Sequence, residues 1–275
     1  MCVIMVATKV RPTEEMVAKG FAANDAGAGI AWRERKKDGS LEVVWKKGLE
    51  EAEVTDLVAK LPLPFTVHFR IPTVGGRVKE LCHPFPITRD VSLSLSGRTD
   101  GFVMFHNGHW NSWKASSLEN AQKFRVKVPT GKWSDSRAMA WAAHCYGIGI
   151  LEFIDEKAIA FGTKDIEVFG SGWTQVNDVW VSNTHWVNRG TYHTTPPFSM
   201  GGSRKEETAP KIDSKADVKQ PGSGGNSADV PFSQVLQDYR DGKLSRTQFK
   251  KRKKALEKKL RKELHRQEKR SKKGR

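Results

Sequence analysis

The chain has 275 residues, 37% of them hydrophobic, and its 9 Trp and 13 Phe supply enough bulky apolar material for one well-buried core. Its formal charge is +16, but 17 Lys/Arg against 3 Asp/Glu between residues 243 and 275 leave +14 there, so residues 1–242 are nearly neutral. No apolar run approaches the roughly 20 residues that a membrane helix needs; the three cysteines, Cys2, Cys82 and Cys145, fit a reducing cytosol better than a disulfide framework.

Cys2–Thr8 is short and apolar, without a basic flank or a cleavage site, and reads as a first β-strand rather than a signal peptide. Thr13 can cap a helix that opens with Glu14 and Glu15 and runs to about Ala23. Ala28–Glu34 and Leu41–Lys47 read as a hairpin around Asp38-Gly39. A helix over Leu49–Leu61 and a strand over Val67–Arg70 follow, the strand leading into a Gly-containing loop at 73–76. Gly101–His106 is a further strand, ending at Asn107-Gly108. Ser134 can cap a helix running through Tyr146 and closed by Gly147. Strands are expected near Ala158–Gly162, Ile166–Trp173 and Val179–Trp186, the last two joined by Asn177-Asp178, with Trp173, Trp180 and Trp186 as core aromatics. The pattern is α+β, with sheets flanked by helices.

From about Thr194 to Val230 large apolar residues nearly vanish, and residues 196–230 are expected to be a disordered linker. Order returns in a basic helical hairpin over 231–275. Val235, Leu236 and Tyr239 line its first helix, Asp241-Gly242 makes the turn, and Ser245 with Gln248 forms a capping box. Phe249, Leu256, Leu260 and Leu264 make a narrow apolar stripe on the second helix.

Four places can carry chemistry. Loss of Met1 would give Cys2 a thiol and a free α-amine on one residue, so that the amine can act as base for its own side chain. Arg70 stands at a strand end, where a guanidinium can grip a carboxylate with two parallel bonds. The Asn107 amide and the Gly108 N–H, directly after a strand, can form an oxyanion hole. Asp135, in the first turn of a helix, can hold an ammonium group. Each has an ordinary structural reading too: a buried strand cysteine, a surface arginine before a turn, an Asn-Gly β-turn and a helix-stabilising carboxylate. His144 and Cys145 read as core-facing helix residues. His106 and His109 flank Asn107-Gly108 and can shape a pocket without an assigned role. Gly147-Ile148-Gly149 lacks the third glycine and the following helix of a dinucleotide fingerprint. No histidine spacing fits a zinc site, and no metal or cofactor is expected.

In order, Cys2, HFRIPT (His68–Thr73), HPF (His83–Phe85), HNG (His106–Gly108) and SDS (Ser134–Ser136) resemble the class II, N-terminal nucleophile (Ntn) glutamine amidotransferases over residues 2–190. The resemblance implies a four-layer αββα Ntn-hydrolase sandwich for residues 1–195. It implies Cys2 as nucleophile and Asn107 with Gly108 as oxyanion hole. Arg70 would bind the glutamine α-carboxylate with Thr73 as its neighbour in the same substrate-binding loop, Asp135 would hold the α-amino group, and His83 would stand beside the loop in a supporting role. Ile71 and Val74 stand where the family often has Trp and His, which leaves the lid of the loop undefined. The segment 231–275 resembles a SHOCT-type helical hairpin.

The expected function is release of ammonia from glutamine by a cytoplasmic enzyme. With no synthase-like segment after residue 195, the acceptor is expected on a partner enzyme or substrate, and residues 243–275 are expected to meet nucleic acid or an acidic protein rather than a membrane. The alternatives are an Ntn amidohydrolase acting on another γ-glutamyl amide, and a catalytically idle Ntn fold that works through its basic tail.

Overall fold

Val3–Ala7 (β1) is apolar at all five positions and buried at all five, which a strand requires when both of its faces are covered. In the computed structural model of the protein, Thr13 then caps α1 (Glu14–Ala23), its hydroxyl accepting the Met16 N–H at 3.2 Å. β2 (Ala28–Arg35) and β3 (Leu41–Leu49) form a hairpin, and α2 (Glu51–Lys60) follows, the Glu50 N–H donating to Glu53 Oε2 at 2.9 Å. Next come β4 (Phe65–Phe69), a 3-10 turn at Lys79–Leu81, β5 (Phe85–Pro86), β6 (Ser96–Thr99) and β7 (Val103–Asn107). Three helices follow: α3 (Trp113–Phe124), α4 (Asp135–Tyr146) and α5 (Ile150–Ile154). The remaining strands are β8 (Lys157–Phe161), β9 (Ile166–Phe169), β10 (Thr174–Val176), β11 (Val179–Val181) and β12 (Thr194–Thr195).

The structure describes residues 1–72, 76–154, 156–187 and 194–195, and beyond them only residues 243, 248, 251, 252 and 255. The chain divides into two units, Met1–Arg204 and Lys205–Arg275. The expected linker at 196–230 lies outside the described residues, and so does nearly all of the expected hairpin, of which Gln248, Lys251, Arg252 and Ala255 are helical. No helix among the described residues is long and apolar enough to cross a membrane.

The first unit is a mixed α/β structure with two antiparallel sheets. The larger runs β12-β10-β11-β1-β4-β2-β3-β6 and the smaller β5-β7-β8-β9. Strand alternation sorts the side chains. Val3 and Met5 of β1 join Met16 and Val17 of α1 and Val54 and Val58 of α2 in one core. Ile4 and Val6, on the opposite face, meet Phe105, Ile159 and Phe161 of the smaller sheet in a second core. Each of these side chains contributes about 1.5–3 kcal/mol relative to exposure. β7 turns Phe105 toward the larger sheet and His106 the other way, where His106 meets Ser136 of α4.

Several boundaries differ from the sequence reading. Leu49 stays in β3, paired with Ala28, so the helix expected from Leu49 begins at Glu51. The strand expected over Ile166–Trp173 ends at Phe169, because Gly170 and Gly172 turn the chain with φ of 78° and 79°. Asn177-Asp178 therefore joins β10 to β11, both residues taking the left-handed conformation at φ 48° and 62° that a tight hairpin needs. Trp173 and Trp186 are buried as expected, and Trp180 is partly so. His144 is exposed and faces away from the core, because the buried face of α4 ends at Ala143. α3 has no side-chain cap at Ser112 and ends on Arg125 rather than glycine, so none of the usual signals marked it.

Candidate active site

Cys2 immediately precedes β1, where Val3 pairs with Phe69 at the end of β4. That register brings the thiol to the chain leaving β4. The Ile71 N–H donates to Cys2 Sγ at 3.4 Å, and the thiol donates to Ile71 O at 3.6 Å. Burial pushes the Cys2 thiol above its ordinary range. The Ile71 N–H, the terminal ammonium and the Arg70 guanidinium oppose that shift, and the Asp135 carboxylate adds to it.

Arg70 is buried at the end of β4 and pinned through its backbone: its N–H donates to Gly27 O and its carbonyl accepts from the Ala26 N–H, both at 3.1 Å. Its Nη1 donates to Gly76 O at 2.7 Å. Asp135 opens α4, whose cap is the Ser134 hydroxyl accepting from the Arg137 N–H at 3.1 Å. One carboxylate oxygen of Asp135 accepts the Ser136 N–H at 2.9 Å. The other accepts the Trp110 N–H at 3.2 Å and lies 3.4 Å from His109 Nδ1. This buried carboxylate is thus held by two backbone donors and the helix N-terminus.

Cys2, Arg70, Ile71, His83, Gly108 and Asp135 line one cleft of about 310 Å3 including its open mouth. His106 and Ser136 also line it. Five sequence-expected positions, from five separated segments, therefore meet around the thiol. Asn107 is different: its Nδ2 donates to Ser182 Oγ at 2.9 Å, its buried Oδ1 has no partner among the described residues, and it is not part of the cleft lining. Thr73 lies outside the described residues.

Three buried histidines cluster here, His83 and His106 in the cleft lining and His68 against His83. His83 Nδ1 and His68 Nδ1 are 3.3 Å apart, and His106 Nδ1 is 2.9 Å from Ser136 Oγ. Burial lowers all three: His68 to about 3, His106 to about 4, and His83 well below its usual range. They are neutral imidazoles at physiological pH. Lys47 is buried nearby in β3, its Nζ 4.3 Å from the centre of the Phe85 ring, and desolvation lowers its pKa to about 7. No group of three or more His, Cys, Asp or Glu among the described residues is arranged to hold a metal ion. Cys82 and Cys145 are free thiols, Cys82 buried and Cys145 partly so, and burial raises the pKa of both.

Sequence reasoning passed over Ser182 and Asn183. The Ser182 hydroxyl accepts from the Ile4 N–H and from Asn107, and Asn183 Nδ2 donates to the Cys2 carbonyl at 2.6 Å. Only the pairing of β11 beside β1 brings them to the thiol, and no local motif announces that.

Fold and site together define a two-sheet α/β protein with a thiol in a cleft that a guanidinium and a carboxylate also line. No family model matches the sequence, and no curated protein matches it. Among solved structures, the chain is similar to an allosteric regulatory enzyme of purine biosynthesis, at 15% identity and a TM-score of 0.44. The match covers 72% of this chain and 45% of that one, so the chain spans less than half the length of that enzyme.

Proposed function

We propose that residues 1–195 form a four-layer αββα Ntn sandwich that hydrolyses the side-chain amide of glutamine, in the manner of the class II amidotransferases. The observation that carries this reading is the cleft. Arg70 and Asp135 both line it beside the Cys2 thiol, and together they complement the α-carboxylate and α-ammonium of a free amino acid. An ordinary buried strand cysteine has no need of a cleft lined by two such groups.

In the proposed reaction, Met1 is removed and the Cys2 α-amine takes the thiol proton. The sulfur attacks the amide carbon, and the developing oxyanion is met by the Gly108 N–H, with the Asn107 amide as second donor only if its N–H that does not go to Ser182 turns into the cleft. Collapse breaks the C–N bond, and the α-ammonium returns its proton to the leaving nitrogen, releasing ammonia. The amine then draws a proton from water, which cleaves the γ-glutamyl thioester and frees glutamate and the thiol. Arg70 holds the substrate carboxylate with Thr73 as its neighbour on the substrate-binding loop, Asp135 holds the ammonium, and His83 stands beside that loop in a supporting role. No cofactor enters this scheme.

Ammonia would pass to an acceptor on a partner enzyme or substrate. Residues 196–230 would join this domain to the basic segment 231–275, whose +14 between 243 and 275 suits nucleic acid or an acidic protein. The same Arg70–Asp135 pair suits any free γ-glutamyl amide, which keeps an amidohydrolase of that class as the second reading. The direct test is glutamate release from glutamine by the full-length protein against Cys2→Ser. Turnover in Cys2→Ser equal to the parent's would remove the proposal, and turnover of γ-glutamyl amides other than glutamine alone would establish the second reading.

A further inference from the structure

The groups that hold Cys2 from the far side of β1 all belong to two consecutive residues. Ser182 Oγ accepts from the Ile4 N–H and from Asn107 Nδ2, each at 2.9 Å, and the Ser182 N–H donates to Ile4 O at 2.9 Å. One hydroxyl thus ties the strand carrying Cys2 to the side chain of Asn107. Asn183 reaches the residue itself: its Nδ2 donates to the Cys2 carbonyl, while the Trp186 indole N–H donates to the Asn183 carbonyl at 2.9 Å and fixes the turn. Asn183 Oδ1 is buried with no partner among the described residues. A buried amide oxygen calls for a donor. Met1 is 72% exposed, and its removal would turn the peptide nitrogen of Cys2 into an amine on the residue whose carbonyl Asn183 already holds.

We infer that Asn183 is a positioning residue for the reacting terminus: Nδ2 holds the Cys2 carbonyl, and Oδ1 receives the Cys2 α-amine once Met1 is gone, with Ser182 fixing the strand behind it. This rests on the reading of Cys2 as an N-terminal nucleophile. A two-point grip on one residue leaves the amine a single orientation toward its own thiol, which a base acting within one residue needs. The charged or titratable groups acting on this terminus are Arg70 after β4, Asp135 on α4 and His185 after β11.

The test uses full-length protein labelled with 13C-cysteine, the Cα of Cys2 reporting the amine and its Cβ the thiol across pH, in the parent, Asn183→Asp and Asn183→Ala. Thermal midpoints of all three are recorded alongside. Asn183→Asp keeps the acceptor but places a carboxylate against the ammonium, so the amine midpoint should rise by about 1 unit or more. If glutamine is turned over, the acid limb of kcat should move up with it. Asn183→Ala should lower kcat by about 10–100-fold with KM moved less than about threefold. An amine midpoint unchanged in Asn183→Asp overturns the inference, whatever happens to stability, and so does a purified chain that retains Met1. A parent that fails to hydrolyse glutamine while Asn183→Asp still shifts the amine removes the proposed reaction and leaves the positioning intact.

Discussion

One residue meets the Cys2 sulfur with both of its backbone groups: Ile71 donates its N–H to Sγ at 3.4 Å and accepts the thiol proton on its carbonyl at 3.6 Å. Such a thiol is protonated at rest, and burial raises its pKa further. It becomes a nucleophile only when a base within reach takes its proton. His83 and His106, the imidazoles lining the cleft, are held at Nδ1 by His68 and Ser136, and burial lowers the pKa of both, which makes them weak bases beside the residue's own amine, the proposed base.

Labelling of the mature protein tests this directly. Intact mass should show loss of Met1, and a glutamine-shaped electrophile such as 6-diazo-5-oxo-norleucine should modify Cys2 alone. Iodoacetamide, which lacks the amino-acid groups that Arg70 and Asp135 recognise, should react slowly with all three cysteines near neutral pH, because burial raises each thiol pKa. Peptide mapping that finds the glutamine analogue on Cys82 or Cys145 instead would count against the assignment.

Arg70→Lys keeps the charge but loses the planar fork and the bond to Gly76 O. KM for glutamine should rise by roughly 10–150-fold, the equivalent of about 1.5–3 kcal/mol for a charge-assisted bond, with kcat changed much less. Steady-state kinetics on Arg70→Lys and Asp135→Asn decide the matter, and an unaltered KM in both variants would mean that neither group meets the substrate.

Lys47 gives a stability prediction. Its folded pKa of about 7 lies below the unfolded value near 10.4, so the folded state binds fewer protons between those limits and this residue's contribution improves as pH rises through the window. Replacing a buried amine that has no hydrogen-bond partner among the described residues with an apolar side chain of similar length removes that cost. Lys47→Met should stabilise the fold by about 2–4 kcal/mol at pH 7 and flatten the gain toward pH 9.5, as measured by urea unfolding. A destabilised Lys47→Met with the alkaline gain preserved would contradict this account.

The buried histidines act in the opposite pH range. Their folded pKa values are lowered beneath the unfolded 6.5, so the unfolded chain takes up the extra protons and stability falls as pH drops below 6.5 toward about 4. His68 and His106 should each contribute a loss of about 2 kcal/mol between pH 7 and pH 5. Calorimetry across this range should show a steep decline in the parent and a shallower one in His106→Asn. Equal slopes would place the acid-sensitive groups elsewhere.

The legible parts of the sequence were those written locally. Thr13 and Ser134 announced their helices because a cap is a short-range bond, and Asp38-Gly39 announced its hairpin because the turn demands those residues. Cys2, Arg70, His83, Gly108 and Asp135 could be picked out through motif order, and the fold does bring them to one cleft. Lys47 could not, since a lysine near a strand end normally faces water. Nor could the close contact at Gly29, where a Cβ would lie 1.8 Å from the His83 carbonyl oxygen; that is a meeting of two distant backbones. The Ser182–Asn183 pair was hidden for the same reason, its partners lying 178 and 181 residues away.

That separation carries a consequence for how the protein is made. β1 has one neighbour at Phe65–Phe69 and the other at Val179–Val181. On the ribosome, the first strand can pair on one edge as soon as β4 emerges, but its other edge stays open until more than a hundred further residues have been added. The segment around Cys2 therefore keeps one edge open through most of synthesis and is flanked on both sides only when the late strands arrive. Contacts of such long range are slow to close. On the proposed reading, trimming at Cys2 would come first and enclosure afterwards.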